Sequence, residues 1–270
     1  MTGFDVQRTY DLASKTYNEL RDLSSSLVTV TDTITRNLDI SSGDRILDVG
    51  CGTGSVSLSA ARLATGAGSV VGVDISQSMV EFARINARNA GVDNIEFIVC
   101  DMDEFNFPAE SFDSLACALA LFFSRDMPEV ISSFWRLLRP GGRLALATLG
   151  RNILHPVSGA FLDLAQLYTP DLDVSAPWNK VEDLSHLRRL VEEAGTYERI
   201  SLDHQDAVMN LESAKDGWEY LMGSGFRNYI MQLDKDTVER IRRDINEWME
   251  RNAIRHLTLG VNYVTAVKST

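Results

Sequence analysis

The sequence predicts an α/β protein built on a mostly parallel sheet with helices on both faces. Three observations carry this. Arg45–Ala61 (RILDVGCGTGSVSLSAA) passes from strand to glycine turn to helix: Ile46, Leu47 and Val49 read as a short buried strand, glycines fall at 50, 52 and 54, and a helix-like run starts near Ser55. From 41 to 150, strand-like and helix-like segments alternate, as parallel sheets require. Asp48, Asp74, Asp101 and Ala118 fall at or near the ends of the strand-like runs, and open α/β sheets bind ligands beyond the carboxyl ends of their strands.

In chain order, Val6, Tyr10, Ala13, Tyr17 and Leu20 share one face of a helix over 5–20. Leu27, Val30, Ile34 and Leu38 repeat the pattern over 27–38. Ser41-Ser-Gly-Asp44 is a turn into the core. Val70–Asp74 reads as the second strand, and a helix follows with Met79, Phe82, Ala83, Ala87 and Ala90 on one side and Gly91 at its C-cap. A third strand ends at Cys100-Asp101-Met102. Phe112–Leu119 is the fourth, and a helix with Val130, Ile131, Phe134, Leu137 and Leu138 leads to the fifth. An apolar helix is expected over Val157–Tyr168 and an amphipathic one over 182–194. A strand over 197–209, helices near 212–222 and 234–251, and a closing strand over 256–267 complete the chain.

The 270 residues, 44% hydrophobic and 24% charged, suffice for one substantial core. A net charge of −12 opposes phosphate backbones and anionic membrane surfaces. Arg188-Arg189 and Arg240–Arg243 are interleaved with acids and read as solvated helix faces. The expectation is therefore no nucleic-acid partner and no membrane insertion. Cys51, Cys100 and Cys117 lack C-x-x-C spacing and sit in or beside apolar runs, as reduced thiols of a cytoplasmic protein would. No Cys/His group has metal-ligand spacing, so no metal is expected. The polar start MTGFDVQRTYDLASK has no apolar signal core, and no run approaches a membrane span.

A strand that turns into a helix over glycines brings bare backbone amides to a ligand, since a Cβ would block the approach or the positive φ. The dinucleotide fingerprint needs G-x-G-x-x-G with pyrophosphate on the helix N-terminus. Here the spacing is G-x-G-x-G, and Asp48 stands just before it, where it would oppose pyrophosphate and suit an amino group. A nicotinamide reductase is thereby disfavoured. Asp48-Val-Gly-Cys-Gly-Thr-Gly54 resembles motif I of the class I S-adenosylmethionine-dependent methyltransferases, those of the ubiquinone/menaquinone type among them. Val70-Val-Gly-Val-Asp74, Cys100-Asp101-Met102, Phe112–Leu119 and Leu138-Arg-Pro-Gly-Gly-Arg-Leu144 follow in the order and spacing of that family. The resemblance covers Tyr10–Leu149 well and the remainder loosely.

The resemblance implies a Rossmann-like class I methyltransferase sheet, mostly parallel with the last strand antiparallel. It implies an N-terminal helical lid (1–40), a cofactor-binding core (41–150), and a substrate cap after strand five that shares 151–270 with the closing strands. It implies S-adenosyl-L-methionine as cofactor and S-adenosyl-L-homocysteine as product. Gly50, Cys51, Gly52 and Gly54 would offer backbone, with Asp48 near them. Asp74, twenty residues beyond Gly54, would accept the ribose hydroxyls. Ile75 and Met79 would cover the adenine, with Asp101 at its amino group and Met102 beside the ring. Ala118 and Leu119 would line the cofactor. Tyr10–Tyr17 resembles the family's Y-D-x-x-A-x-x-Y segment, whose second tyrosine, here Tyr17, reaches over the cofactor; packing on the helix face is the alternative.

An activated methyl needs chiefly an aligned acceptor, so no catalytic motif is required. Where the acceptor must lose a proton, His155, just after strand five, is the candidate base; His186, His204 and His256 read as structural, and Asp103 and Glu104 as solvated. Phe122, Phe123, Trp178, Tyr220, Phe226 and Tyr229 could wall an acceptor pocket. The expected activity is direct in-line O- or C-methylation of a small-molecule acceptor, a secondary metabolite or quinone-like ring, by a monomer or homodimer. Small-molecule N-methylation, and a cofactor-binding module or cyclase of the same fold, remain open.

Overall fold

The computed structural model describes residues 4–21, 25–104, 106–181 and 183–270. Two helices, α1 (Val6–Arg21) and α2 (Ser25–Leu38), precede β1 (Arg45–Val49), α3 (Ser55–Leu63), β2 (Ser69–Asp74), α4 (Gln77–Ala90), β3 (Ile95–Val99), β4 (Phe112–Ala118), α5 (Met127–Leu137) and β5 (Leu138–Leu149). Then come α6 (Val157–Tyr168), α7 (Leu184–Ala194), β6 (Tyr197–Asn210), α8 (Ala214–Met222), α9 (Arg227–Ile230), α10 (Lys235–Arg251) and β7 (His256–Lys268). Residue 182, the expected start of α7, lies outside the described residues.

The seven strands form one sheet in the order β3-β2-β1-β4-β5-β7-β6. The first five are parallel, and β7 runs antiparallel to both β5 and β6. The expected mostly parallel sheet with an antiparallel last strand is therefore present. β7 lies inside the sheet, and β6 forms the edge.

Strand alternation assigns the two faces. Ile46 of β1 packs with α2 and α3 through Val30, Ile34, Val56 and Ala60. Its neighbours Leu47 and Val49 face α5 and α7 through Ile131, Phe134, Leu187 and Val191. A smaller cluster of Leu58, Val80, Ala83 and Phe97 seats α4 beside α3 and β3. Ser76 caps α4 by accepting the Met79 N–H at 3.1 Å, and Gly91 (φ 64°) ends it. The Arg-Pro-Gly-Gly turn before strand five is a bulge at the start of β5: residues 139–142 stand opposite the single residue Asp113 of β4. The short α9 was not among the expected elements; four residues carry too little periodicity to reveal it.

Candidate functional site

The glycine turn folds as its spacing demands. Gly50, Gly52 and Gly54 all hold positive φ (69°, 54° and 91°). A Cβ at Gly50 would lie 2.2 Å from the Ala120 Cβ, and one at Gly52 would approach the Tyr17 ring at 3.9 Å. The turn is sewn to β2: the Gly50 and Cys51 N–H groups donate to the Val73 carbonyl at 2.8 and 2.9 Å. Asp74, at the end of β2, accepts the Gly52 N–H at 2.8 Å and the Ser76 N–H at 2.9 Å. Burial raises the Asp74 pKa, those two amide bonds oppose the rise, and nearby Asp11 adds to it.

Above these strand ends is a cavity of about 480 Å³, within the range of small-molecule sites. Gly50, Gly52, Asp74, Ile75, Met79, Asp101, Met102, Ala118, Leu119 and Tyr17 all line it. These ten expected residues come together from β2, β4, α1, α4 and the loops that follow β1, β2, β3 and β4. Leu119 is held at φ 56° by its N–H bond to the Ala147 carbonyl (2.8 Å), a strained conformation of the kind found at ligand sites.

Asp48, Cys51 and Gly54 stand apart from these ten. None of them lines the cavity. Alternation along β1 turns Asp48 toward α3, where its carboxylate is 1% exposed and accepts the Ser57 hydroxyl at 2.6 Å. Burial pushes its pKa up to about 6, against the hydrogen bond from Ser57. The Cys51 side chain packs with Leu58, Val80 and Phe97, and Gly54 begins α3 against Phe97 and Ala83. His155 stands apart as well. It is exposed, it lies outside the cavity wall, and its backbone bridges to Thr258. His204, on β6, binds Asn262 of β7 at 2.7 Å.

Asp103 departs from the solvated role expected of it. Its side chain is 11% exposed, lines the cavity, and pairs with Arg125 at 3.1 Å; Arg125 also reaches Asp101 and Glu104. The remaining wall is aromatic. Phe122, Phe123, Trp178, Tyr220 and Phe226 line the cavity as expected, whereas Tyr229 stands behind Trp178 and donates to the Ser175 carbonyl at 2.9 Å. Phe4, Tyr10, Arg125, Met209 and Leu259 were missed as wall residues. Phe4 precedes its helix and so has no periodicity to mark it, yet it stacks on Phe123 with ring centroids 5.5 Å apart. Among the described residues no group of three or more His, Cys, Asp or Glu could hold a metal ion, and no helix is long and apolar enough to cross a membrane.

This arrangement offers a carboxylate and closely approachable glycine backbone on one side and an apolar, aromatic wall on the other. A ribose-bearing, partly charged cofactor fits the first: a Cβ at Gly50 would strike Ala120, the positive φ of Gly52 disfavours a side chain there, and Asp74 is an acceptor at the cavity surface.

A family model described as a methyltransferase domain matches residues 40–195. The chain is 31% identical over 172 residues to the aklanonic acid methyltransferase of Streptomyces sp. (strain C5), covering 61% of this chain and 72% of that one. It is 33% identical over 120 residues to the ubiquinone/menaquinone biosynthesis C-methyltransferase of Escherichia coli (strain K12 / DH10B), covering 44% of this chain and 48% of that one. Among solved structures, phosphoethanolamine N-methyltransferase 2 of Haemonchus contortus with S-adenosylhomocysteine superposes with a TM-score of 0.61 at 16% identity, over 96% of this chain and 58% of that one. The cyclase SpnF gives a TM-score of 0.63 at 21% identity, over 98% and 96%; both likenesses are of fold. With its glycine turn, its acid-ended second strand and this sheet order, the chain belongs to the class I S-adenosylmethionine-dependent methyltransferase family.

Proposed function

We propose that this chain transfers a methyl group from S-adenosylmethionine to a small, largely apolar acceptor, at oxygen or carbon. The observation that carries the reading is one continuous cavity joining Asp74 and the glycine turn to the aromatic wall of Phe4, Phe122, Phe123, Trp178 and Phe226. When bound, the cofactor supplies a methyl on a sulfonium, a leaving group that needs no further activation. The Asp74 carboxylate would accept the ribose hydroxyls, Gly50 and Gly52 would admit the chain close to β1, and Asp101 would meet the adenine edge. The aromatic wall would hold the acceptor atom behind the methyl and exclude water, and alignment of that kind lowers a bimolecular barrier substantially.

The bound cofactor would supply that methyl and keep the sulfur electron pair as S-adenosylhomocysteine, while the aromatic wall would hold the acceptor in line. An acceptor that ionises before it binds would bring no proton into that water-poor wall. No histidine lies on the described cavity wall, and an acceptor that ionises readily, such as an acidic phenol, enol or carboxyl, would need no base there. An apolar setting also favours the union of an anion with a sulfonium, because charge is lost in the transition state. The free thiols Cys51, Cys100 and Cys117 support a reducing, cytoplasmic setting.

The test is calorimetric titration of S-adenosylmethionine and S-adenosylhomocysteine into wild type and Asp74→Ala. Wild type is expected to bind both, and the variant to bind about tenfold or more weakly, as loss of hydrogen bonds to a charged group implies. Absence of binding to folded wild type would overturn the reading. Binding without release of S-adenosylhomocysteine on any acceptor screened would favour a cofactor-binding module or cyclase.

A further inference from the structure

Helix α1 touches both halves of the cavity. On the cofactor side, Asp11 Oδ1 accepts the Ser76 hydroxyl at 2.5 Å and the Ser78 N–H at 3.2 Å. Ser76 in turn donates its N–H to Asp74 Oδ1, and Asp74 Oδ2 accepts the Gly52 N–H. An unbroken run of hydrogen bonds thus leads from α1 through the cap of α4 to Asp74 and the glycine turn. A second run is parallel to it: Asn86 Nδ2 donates to Asn18 Oδ1 at 2.8 Å and to the Thr53 carbonyl at 2.9 Å.

On the acceptor side, buried Thr9 donates to Asn228 Oδ1 of α9 at 3.4 Å. Phe4 meets Phe123, Trp178 and Tyr229. Leu20 and Thr16 fill the space beside Gly223, where an added Cβ would lie 2.9 Å from the Leu20 Cδ1. Tyr10 and Tyr17 project into the cavity between the two sets of contacts.

We propose that Asp11 is a positioning residue: it holds α1 to the N-terminus of α4, so that seating the cofactor against Asp74 also fixes the α1–α9 wall of the acceptor chamber. Resting as it does on the cofactor reading above, the proposal makes the two halves thermodynamically coupled through one rigid helix. Asp11 touches neither ligand. Its contribution is transmitted by Ser76 and by the placement of Tyr10 and Tyr17.

The experiment uses S-adenosylhomocysteine as the probe, with the full chain as wild type, Asp11→Ala, Asp11→Asn and Asn18→Ala. Affinity is read by calorimetry and amide hydrogen exchange is followed at Arg227–Ile230. Asp11→Ala is expected to weaken binding about tenfold, Asp11→Asn to stay within about threefold because its amide oxygen accepts from the same two donors, and bound ligand to protect α9 in wild type but not in Asp11→Ala. Asn18→Ala cuts the second run alone and is expected to weaken binding less than Asp11→Ala; it also serves if Asp11→Ala does not fold, and a wild-type affinity and α9 protection there would then overturn the proposal. Equal affinity in wild type and Asp11→Ala, or α9 protection that is the same in both, overturns the proposal and leaves the cofactor reading intact. Failure of wild type to bind overturns both.

Discussion

Single residues show where a sequence can and cannot be read. Asp74 and the glycines were legible because backbone geometry dictates them: positive φ needs glycine, and an acid at a strand end has little else to do. Asp48 was legible as important but not as buried, since alternation along β1 is visible in the sequence while the face that meets the ligand is not. Its chemistry gives a test. The folded-state pKa lies near 6 against an ordinary 3.8, so the folded protein holds the extra proton and stability falls as pH rises through that window. Between about pH 4 and pH 7 the stability of wild type should drop relative to Asp48→Asn by roughly 2 kcal/mol. Urea unfolding of both proteins at the two pH values measures this, and a difference that does not move with pH would refute it. At Gly50, alanine meets both a positive φ and the Ala120 Cβ. Gly50→Ala should cost about 1–3 kcal/mol of stability and weaken S-adenosylhomocysteine binding in the same preparation.

At the level of elements, long periodic helices were found where their stripes placed them, as with α6 over Val157–Tyr168. What escaped was the partner of each stripe. Phe4, ahead of α1, becomes cavity wall only because α1 lies between α4 and α9, a tertiary fact with no local signal. Helix junctions also depend on neighbours distant in sequence. Gly195, after α7, faces the Trp135 indole of α5, and an added Cβ would lie 2.3 Å from its Cδ1; Gly217 of α8 faces the Met249 sulfur of α10 at 2.6 Å. The two clashes look alike on distance and differ in what must yield. A thioether swings aside through three torsions, whereas the indole is fixed by its own bond to the Thr196 carbonyl at 3.2 Å. Gly195→Ala should therefore lose about 1–3 kcal/mol and Gly217→Ala clearly less. Thermal denaturation of the pair decides, and the reverse order would refute the account.

For the whole molecule, fold class and the antiparallel last strand were legible because five motifs stand in register with a known family, and a parallel sheet with right-handed crossovers leaves few ways to connect them. The acceptor was not, because cap side chains meet only through tertiary packing. If the cavity takes the cofactor, occupancy should stabilise the protein as one body. At a hundred times its dissociation constant, S-adenosylhomocysteine should add about 2.7 kcal/mol, a rise in Tm of about 5–10 °C for a chain of this size. A scan with and without ligand measures it. The position of β7 has a further consequence, for synthesis. Its thirteen residues fill the seam between β5 and β6, yet they are translated roughly a hundred residues after β5 is complete. At ~5–20 residues per second, a nascent chain carries the β5 edge unpaired for about 5–20 s. Throughout that interval the half-made sheet is open to pairing with other chains, so a ribosome stalled in α10 would release a sticky intermediate rather than a smaller working enzyme.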